Sequence, residues 1–379
     1  MDEGSRLGRV LVIASFPDSL VRFRGALIKS LLDSGHAVHV AAPDLPPDSP
    51  VRRSLESAGV VVHEVSMRRG GTNVLEDAAT LLELRTLCRH LAPTHVLAYT
   101  VKPVVYGLWA ARMTGVPNRF ALITGVGYAV AESPRGLRKL LTALVQRLYA
   151  NALLGCQRVF FQNPDDQATF RQLRMVPSNT PSSVVNGSGV DVGEFAVAPL
   201  PDGVRFLLIA RLLGEKGVRE YAEAAERTRQ VHPGASFGLV GWIDQTPDAI
   251  SESELSGWVE SGALDYLGRL DDVRSAIAAS SVYVLPSYHE GTPRTVLEAM
   301  AMGRPIVTTD APGCRETVVD GENGFLVPVK SVDALVDAIG RFIREPELIT
   351  AMGARSREIA EERYDVHKVN AFMLREMGL

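Results

Sequence analysis

The stretch VYVLPSYHEGTPRTVLEAMAMGRPIVTTDAPGCRE, residues 282–316, decides the fold class of this chain. It opens with an apolar run typical of a buried parallel strand and passes through a polar turn into a segment with helical periodicity. Thr292 and Pro293 are predicted to be the N-cap and the first residue of that helix, which Gly303 ends. A strand that leads into a helix at its carboxyl end is where α/β proteins bind ligands. The sequence therefore predicts an α/β fold with a site at this turn.

The predicted helix start has the groups that bind phosphate. The N–H groups of Arg294 and Thr295 are expected to point at a ligand, with the positive end of the helix dipole behind them. Glu290 lies in the turn and Glu298 in the helix, so their carboxylates are placed for different hydroxyls of one extended ligand. Two glutamates at this separation also occur by chance, and Glu298 alone is consistent with a solvated helix residue.

A second candidate site follows the predicted strand at 205–210. Arg211 and Lys216 lie in the turn before the next helix, where two cations can hold a diphosphate and stabilise the charge on a departing nucleotide. An Arg and a Lys in a loop are, taken alone, more often merely solvated. The functional interpretation of Arg211 and Lys216 therefore depends on the presence of the glutamates of the first site.

Strand-like and helix-like runs alternate along the whole chain, as in doubly wound α/β proteins. Strands are predicted at residues 9–15 and 37–42, with a helix at about 20–34 between them. The turn after the first strand lacks Gly-x-Gly-x-x-Gly, which argues against a nicotinamide or flavin site there. The predicted organisation is a first α/β domain at 1–187, a linker at 188–203, a second α/β domain at 204–361, and a helical segment at 362–379 that packs back on the first domain.

Charge is unevenly distributed along the 379 residues, whose formal net charge is −4. Residues 1–190 carry 21 Lys and Arg against 14 Asp and Glu, a net +7, and the remainder carries a net −11. The first half is therefore expected to meet an anionic partner. Three cysteines without paired or metal-like spacing favour a reducing cytosol. Neither a signal peptide nor a transmembrane helix is expected, since no run approaches about 20 apolar residues.

Residues 134–156 combine leucines at helical spacing with several cations. One interpretation is a surface helix that packs its leucines onto the core. The other is an interfacial helix that contacts an anionic bilayer with both its leucines and its cations. The basic excess of the first half favours the membrane.

The ordered string Glu290-Gly291, Glu298-Ala-Met300, Gly303, Pro305, Asp310, Gly313, Glu316 and Asn323-Gly-Phe325 resembles the donor-binding segment of retaining family-4 glycosyltransferases. The resemblance implies a GT-B fold, that is, two facing Rossmann-like domains with a cleft between them. It also implies transfer of a sugar from a nucleotide diphosphate with retention of the anomeric configuration. It implies that Arg211 and Lys216 hold the diphosphate, Glu290 the donor sugar and Glu298 the ribose. The same resemblance places further residues in the donor pocket: Gly291, Thr292, Pro293, Arg294 and Thr295. It places Gly268 and Leu270 near the base of the donor nucleotide.

Three stretches of the first domain resemble a narrower bacterial group that adds N-acetylated sugars to undecaprenyl-diphosphate-linked acceptors. They are VRFRG at 21–25, TVKPVVYG at 100–107 and TGVG at 124–127. The resemblance implies an acceptor site made of Arg22, Arg24, Lys102, Tyr106, Thr124 and Gly125. Many members of the wider family carry a histidine near this turn, where this chain has Thr124-Gly125, so no catalytic histidine is nominated.

The expected protein is thus a cytoplasmic enzyme, peripherally attached to the inner face of the cytoplasmic membrane. It would move a sugar, an N-acetylhexosamine first of all, from a UDP-sugar to a polyprenyl-diphosphate-linked saccharide. No cofactor is expected, and no metal, because no Asp-x-Asp pair lies near the donor site. A nucleotide-sugar epimerase of the same fold and a catalytically silent UDP-sugar binder remain as alternatives.

Overall fold

The computed structural model describes residues 8–68, 73–125, 137–244 and 246–379, and of residues 137 and 138 the backbone only. The chain forms two compact units, unit 1 (Met1–Val185 and Asn370–Leu379) and unit 2 (Asn186–Val369). The predicted linker at 188–203 is therefore part of unit 2, and the chain returns to unit 1 at Asn370 rather than at 362. Among the described residues, no helix is long and apolar enough to cross a membrane.

A parallel sheet forms the centre of unit 1. In the described part of the chain it has seven strands: β1 (Arg9–Ile13), β2 (Ala37–Ala42), β3 (Val61–Glu64), β4 (His95–Tyr99), β5 (Asn118–Ile123), β6 (Arg158–Phe161) and β7 (Ser182–Val184). Their order across the sheet is β3-β2-β1-β4-β5-β6-β7. Successive residues of β1 alternate between two buried clusters, Leu11 and Ile13 in one and Val10 and Val12 in the other. Both faces are covered, which explains why the strands are continuous apolar runs.

Helices cover the two faces of this sheet. They are α1 (Asp18–Arg22), α2 (Gly25–Asp33), α3 (Pro50–Ser57), α4 (Val74–Leu91), α5 (Leu108–Met113), α6 (Leu137–Ala152) and α7 (Pro164–Gln172), with a π-helical turn at Pro103–Gly107. The single helix predicted at 20–34 is wrong, because Arg24 adopts φ −121° and ψ −2° and separates α1 from α2. Residues 134–136 of the predicted amphipathic helix, and Val126 and Gly127 of the predicted turn, lie outside the described residues.

Two histidines of unit 1 face each other, His63 on the edge strand β3 and His39 on its neighbour β2. His39 Nδ1 lies 3.0 Å from His63 Nε2, and the rings stack with their centroids 5.3 Å apart. A hydrogen bond between two imidazoles needs a donor and an acceptor, so at least one ring must be neutral. Burial, followed by the positive charge of Arg52, lowers the pKa of His63.

Acidification below about pH 6.5 is therefore expected to destabilise unit 1. The pKa of His63 is lower in the folded than in the unfolded protein, so the unfolded chain binds more protons and stability is lost as the pH falls through the folded pKa. Thermal unfolding of a His63→Gln variant should depend less on pH between 7.5 and 5 than that of the parent protein. The same dependence in both proteins would contradict the assignment to this pair.

Unit 2 repeats the design of unit 1 with a smaller sheet. Its described residues contain six parallel strands: β8 (Arg205–Ile209), β9 (Ser236–Val240), β10 (Asp265–Tyr266), β11 (Val282–Leu285), β12 (Ile306–Thr309) and β13 (Gly324–Val327). Their order is β10-β9-β8-β11-β12-β13. The helices of this unit are α8 (Val218–Val231), α9 (Glu252–Glu260), α10 (Arg274–Ala278), α11 (Arg294–Ala301), α12 (Val332–Arg344) and α13 (Glu347–Ile359); α14 (Val366–Met377) begins in unit 2 and continues into unit 1.

Two arginines attach the first residues of unit 2 to its body. Arg304 is fully buried and donates to five carbonyl oxygens at 2.8–3.2 Å, of Ala198, Pro199, Ile277, Ala278 and Met302. Arg357 Nη1 donates to the carbonyls of Val192 and Phe195 at 3.0 Å. These bonds explain why the segment predicted as a linker is part of the unit.

Candidate functional site

The sheet order of unit 2 reverses between β8 and β11, which are neighbours although β9 and β10 lie between them in the chain. At such a switch point the loops after the two strands diverge and leave a crevice at the carboxyl edge, the usual ligand site of an open α/β sheet. Arg211 and Lys216 follow β8, and Glu290 follows β11. The fold therefore brings the two sequence-predicted sites together.

Lys216 and Glu290 form an ion pair at this switch point. Lys216 Nζ lies 2.6 Å from Glu290 Oε1, and the two side chains are 13% and 17% exposed. A charge-assisted hydrogen bond of this length in a partly desolvated place orients both groups more strongly than a surface pair would. The cation and the carboxylate are thus held next to each other, one suited to phosphate oxygens and the other to sugar hydroxyls.

The backbone around this pair permits a close approach of three loops. Gly217 adopts φ +71°, and a Cβ there would lie 2.2 Å from the Pro286 carbonyl oxygen. Gly313 adopts φ +80°, and a Cβ there would lie 2.0 Å from the carbonyl oxygen of Glu290. Only glycine is compatible with such contacts in the left-handed region. Two further backbone hydrogen bonds join the same loops, both at 2.9 Å. The N–H of Tyr288 donates to the Glu215 carbonyl, and the N–H of Glu290 donates to the Pro312 carbonyl.

The helix after Glu290 begins one residue later than predicted. Pro293 is its N-cap, in an extended conformation, and its carbonyl accepts from the N–H groups of Val296 and Leu297 at 3.1 and 3.3 Å. The prediction that Thr292 caps the helix and that Pro293 is its first residue is wrong, because the carbonyl that accepts the first helical bonds marks the cap. The N–H groups of Arg294 and Thr295 still precede the first intrahelical bond.

Glu298 is buried, with 6% of its surface exposed. Arg294 Nε lies 2.7 Å from its Oε1, one helical turn away. The expected alternative of a solvated helix residue is therefore excluded. In the same first turn, Thr295 Oγ1 lies 2.7 Å from the Tyr283 hydroxyl. That contact fixes the helix start against β11.

Arg211 has a partner that sequence reasoning missed. Its Nη1 lies 2.9 Å from Asp244 Oδ2, and the two side chains are 34% and 22% exposed. Asp244 follows β9, the strand beside β8, so the order of the strands brings the two together. The only sequence signal was an acidic residue shortly after a predicted strand.

The turn predicted to lie near the base of the donor nucleotide follows β10. Gly268 adopts φ +71° and its carbonyl accepts from Gly241 N–H at 2.9 Å, whereas Leu270 packs against a buried cluster. Trp242, another residue that the sequence analysis missed, is 40% exposed here, and the Arg269 guanidinium lies 5.0 Å from its ring centroid. An exposed indole can stack on a flat heterocycle.

Cys314 lies near the ion pair and is fully buried. Burial, then the nearby charge of Glu290, raises the pKa of its thiol to about 12. Only the thiolate is a good nucleophile, so this cysteine is chemically inert at neutral pH.

Unit 1 has its own switch point, between β1 and β4. Ser15 Oγ lies 2.7 Å from Thr100 Oγ1 across it. Of the residues predicted to bind an acceptor, Arg22 is exposed, whereas Arg24 is 3% exposed with its guanidinium 5.4 Å from the Tyr99 ring centroid.

The other residues predicted to bind an acceptor follow β4 and β5. Lys102 Nζ lies 2.7 Å from Asp77 Oδ1, and burial, followed by the influence of the Asp77 carboxylate, raises the pKa of Tyr106. Thr124 and Gly125 are half-buried directly after β5. The carboxylate of Asp77 was not recognised from the sequence.

Two family models match this chain, one in each half. "Glycosyl transferase 4-like domain" matches residues 21–187, and "Glycosyl transferases group 1" matches residues 203–345, which hold the Lys216–Glu290 pair. The chain belongs to the family-4 glycosyltransferases. The predicted family is thereby confirmed.

Among curated proteins, this glycosyltransferase is 26% identical over 345 residues to the N,N'-diacetylbacillosaminyl-diphospho-undecaprenol alpha-1,3-N-acetylgalactosaminyltransferase of Campylobacter jejuni, covering 87% of this chain and 88% of the relative. It is 24% identical over 310 residues to the UDP-Gal:alpha-D-GlcNAc-diphosphoundecaprenol alpha-1,3-galactosyltransferase of Escherichia coli, covering 78% of each.

Solved structures confirm the GT-B fold. Sucrose-phosphate synthase from Thermosynechococcus elongatus matches with a TM-score of 0.79 at 18% identity, over 97% of both chains. Anabaena HepE, solved in complex with UDP, matches with a TM-score of 0.79 at 18% identity, over 98% of this glycosyltransferase and 100% of HepE.

Proposed function

We propose that this glycosyltransferase transfers an N-acetylhexosamine or a related sugar from a UDP-sugar to an undecaprenyl-diphosphate-linked saccharide, with retention of anomeric configuration. The observation that carries the proposal is the Lys216–Glu290 ion pair at the switch point of unit 2, 2.6 Å long. The C. jejuni and E. coli relatives, by their names, both act on undecaprenol-linked diphosphate saccharides. HepE, a fold neighbour, was solved with UDP.

The chemistry of the pair fits the breaking of a sugar–phosphate bond. The bond from the sugar C1 to the diphosphate oxygen breaks, and a bond from C1 to the acceptor oxygen forms on the same face. The acceptor proton passes to the leaving phosphate, and UDP departs. Lys216 and Arg211 stabilise the charge that grows on the diphosphate, and Glu290 holds hydroxyls of the donor sugar. Cys314, with its raised pKa, supplies no nucleophile.

Helix α6 supports the membrane part of the proposal. Leu140, Leu141 and Leu144 are 68%, 41% and 53% exposed, and the cations Lys139 and Arg147 are exposed beside them. The interpretation that these three leucines pack onto the core does not hold. Exposed leucines flanked by cations suit the interface of an anionic bilayer. Peripheral attachment to the inner face of the cytoplasmic membrane is therefore part of the proposal.

The test is UDP release from a panel of UDP- and GDP-sugars, with and without a short-chain polyprenyl-diphosphate N-acetylhexosaminide. UDP release that requires the acceptor is expected, and NMR of the product should show the anomeric configuration of the donor. Interconversion of the donor without acceptor would instead indicate an epimerase. Binding without turnover would indicate a silent binder. Metal independence and the absence of a cofactor stay predictions, and full activity in the presence of a chelator is the expected result.

A further inference from the structure

Asp77 carries a carboxylate for which the proposed function has no role so far. It lies in the first turn of α4, and Lys102 Nζ approaches its Oδ1 to 2.7 Å, with the side chains of Lys102 and Asp77 only 12% and 15% exposed. Burial, then the neighbouring Asp77 carboxylate, raises the pKa of Tyr106 well above its usual value. Three polar side chains from two segments of unit 1 therefore lie together in a mostly buried cluster, the Asp77 cluster.

The backbone next to the Asp77 cluster has two uncommon conformations. Thr100, two residues before Lys102, adopts φ +68°, which is rare for a β-branched residue. Tyr106 lies in the π-helical turn Pro103–Gly107. Such features concentrate at functional sites, where the surrounding structure holds them. Thr100 also meets Ser15 at the switch point of unit 1, so the Asp77 cluster lies beside the carboxyl edge of the sheet.

The charges of the Asp77 cluster decide what it can bind. The charge of Lys102 is balanced by Asp77, so the pair offers no net positive charge to a diphosphate. A carboxylate has about four lone-pair sites, of which Lys102 uses one. Sugar hydroxyls donate hydrogen bonds and match the remaining capacity. A diphosphate, which only accepts hydrogen bonds, has no donor to offer to these oxygens.

We propose that Asp77 accepts hydrogen bonds from hydroxyls of the acceptor saccharide, and that Lys102 and Tyr106 are positioning residues that orient its carboxylate. The inference rests on the proposed function, because it needs a saccharide acceptor. It gives Lys102 a positioning role in place of the direct acceptor contact, as with the acceptor's diphosphate, that the family resemblance implies. It also assigns a side chain of unit 1 to sugar specificity.

The experiment compares the parent enzyme with the Asp77→Asn and Tyr106→Phe variants. The acceptor KM of Asp77→Asn should rise about 10-fold or more, the loss expected for a hydrogen bond to a charged group. The donor KM should not change, because the donor residues belong to unit 2. A smaller rise is expected for Tyr106→Phe, which keeps the carboxylate. Asp33→Asn is the matched control, since Asp33 forms a similarly short but exposed pair with Lys29 in the same unit.

The direction of the change separates the two roles of Lys102. If Asp77 were only a counterion, Asp77→Asn would release a cation for the diphosphate and lower the acceptor KM, which would overturn the proposal. An unchanged acceptor KM, or a parallel rise of both KM values with a lower melting temperature, would also overturn it.

Failure of the proposed function can be distinguished from failure of this inference. The first shows as a parent enzyme that releases no UDP with the polyprenyl-diphosphate acceptor. Binding of the same acceptor, measured by calorimetry without donor, then tests Asp77 by itself. Weaker binding to Asp77→Asn than to the parent supports the assignment, and equal binding, or none to the parent, overturns it.

Discussion

The Lys216→Ala variant is expected to lose about 10²- to 10³-fold in kcat, the usual cost of removing a group that stabilises developing charge. Its ammonium lies 2.6 Å from Glu290 in a mostly buried position, and alanine supplies no charge in its place. Removing it also leaves the Glu290 carboxylate partly buried without its cation. The measurement is UDP release at saturating donor and acceptor.

Glu290→Gln is expected to impair the same step, and the double variant should lose much less than the product of the two single effects. Groups that act as one unit are not additive, so the double-mutant cycle measures their coupling directly. Arg227→Ala is the matched control, because Arg227 Nη2 also lies 2.6 Å from a carboxylate, that of Asp333, but on the surface of unit 2. Retention of more than about a tenth of the parental kcat in Lys216→Ala would contradict its role in stabilising the leaving group.

Arg304→Met should lower the free energy of unfolding of unit 2 by about 3 kcal/mol or more. The guanidinium donates to five carbonyls and is fully buried, so the substitution removes several charge-assisted hydrogen bonds and leaves buried oxygens without a donor. Arg304→Lys should recover part of the loss, since an ammonium reaches fewer of these oxygens. Chemical denaturation of the full chain gives the values.

The exposed Arg205 provides the control for Arg304, because Arg205→Met removes the same charge from the surface of the same unit. Its effect should stay within about 0.5 kcal/mol. A similarly small effect of Arg304→Met would show that the five carbonyls find other donors. In that case Arg304 would not be what attaches residues 198 and 199 to unit 2.

Local patterns in the sequence were sufficient for the main groups of the donor site. Lys216 and Glu290 each stand in a strand–turn–helix pattern that predicts a carboxyl-edge position, and the sheet order then brings them together across 74 residues. The N-cap of α11 was wrong by one residue, because Thr and Pro both favour helix starts and only the hydrogen bonds decide between them.

The partners of the predicted residues were less accessible to sequence reasoning. Asp77 precedes Lys102 by 25 residues and Asp244 follows Arg211 by 33, and nothing local marks either carboxylate as a partner. The linker prediction failed for the same reason, because glycines and prolines near residue 200 indicate a turn but not the arginine that binds it from 106 residues away. Pairing of this kind is a property of the tertiary fold.

Unit 1 is built from two separate stretches of chain, and this has a consequence for its synthesis. Met373 and Met377, 0% and 3% exposed, belong to the same buried cluster as Val10 and Val38. A ribosome that adds about 5–20 residues per second needs roughly 10 to 40 s to pass from residue 185 to residue 370. During that time the nascent unit 1 lacks part of its core, whereas unit 2 is continuous. The half of the protein that is translated second is therefore the first that can finish folding.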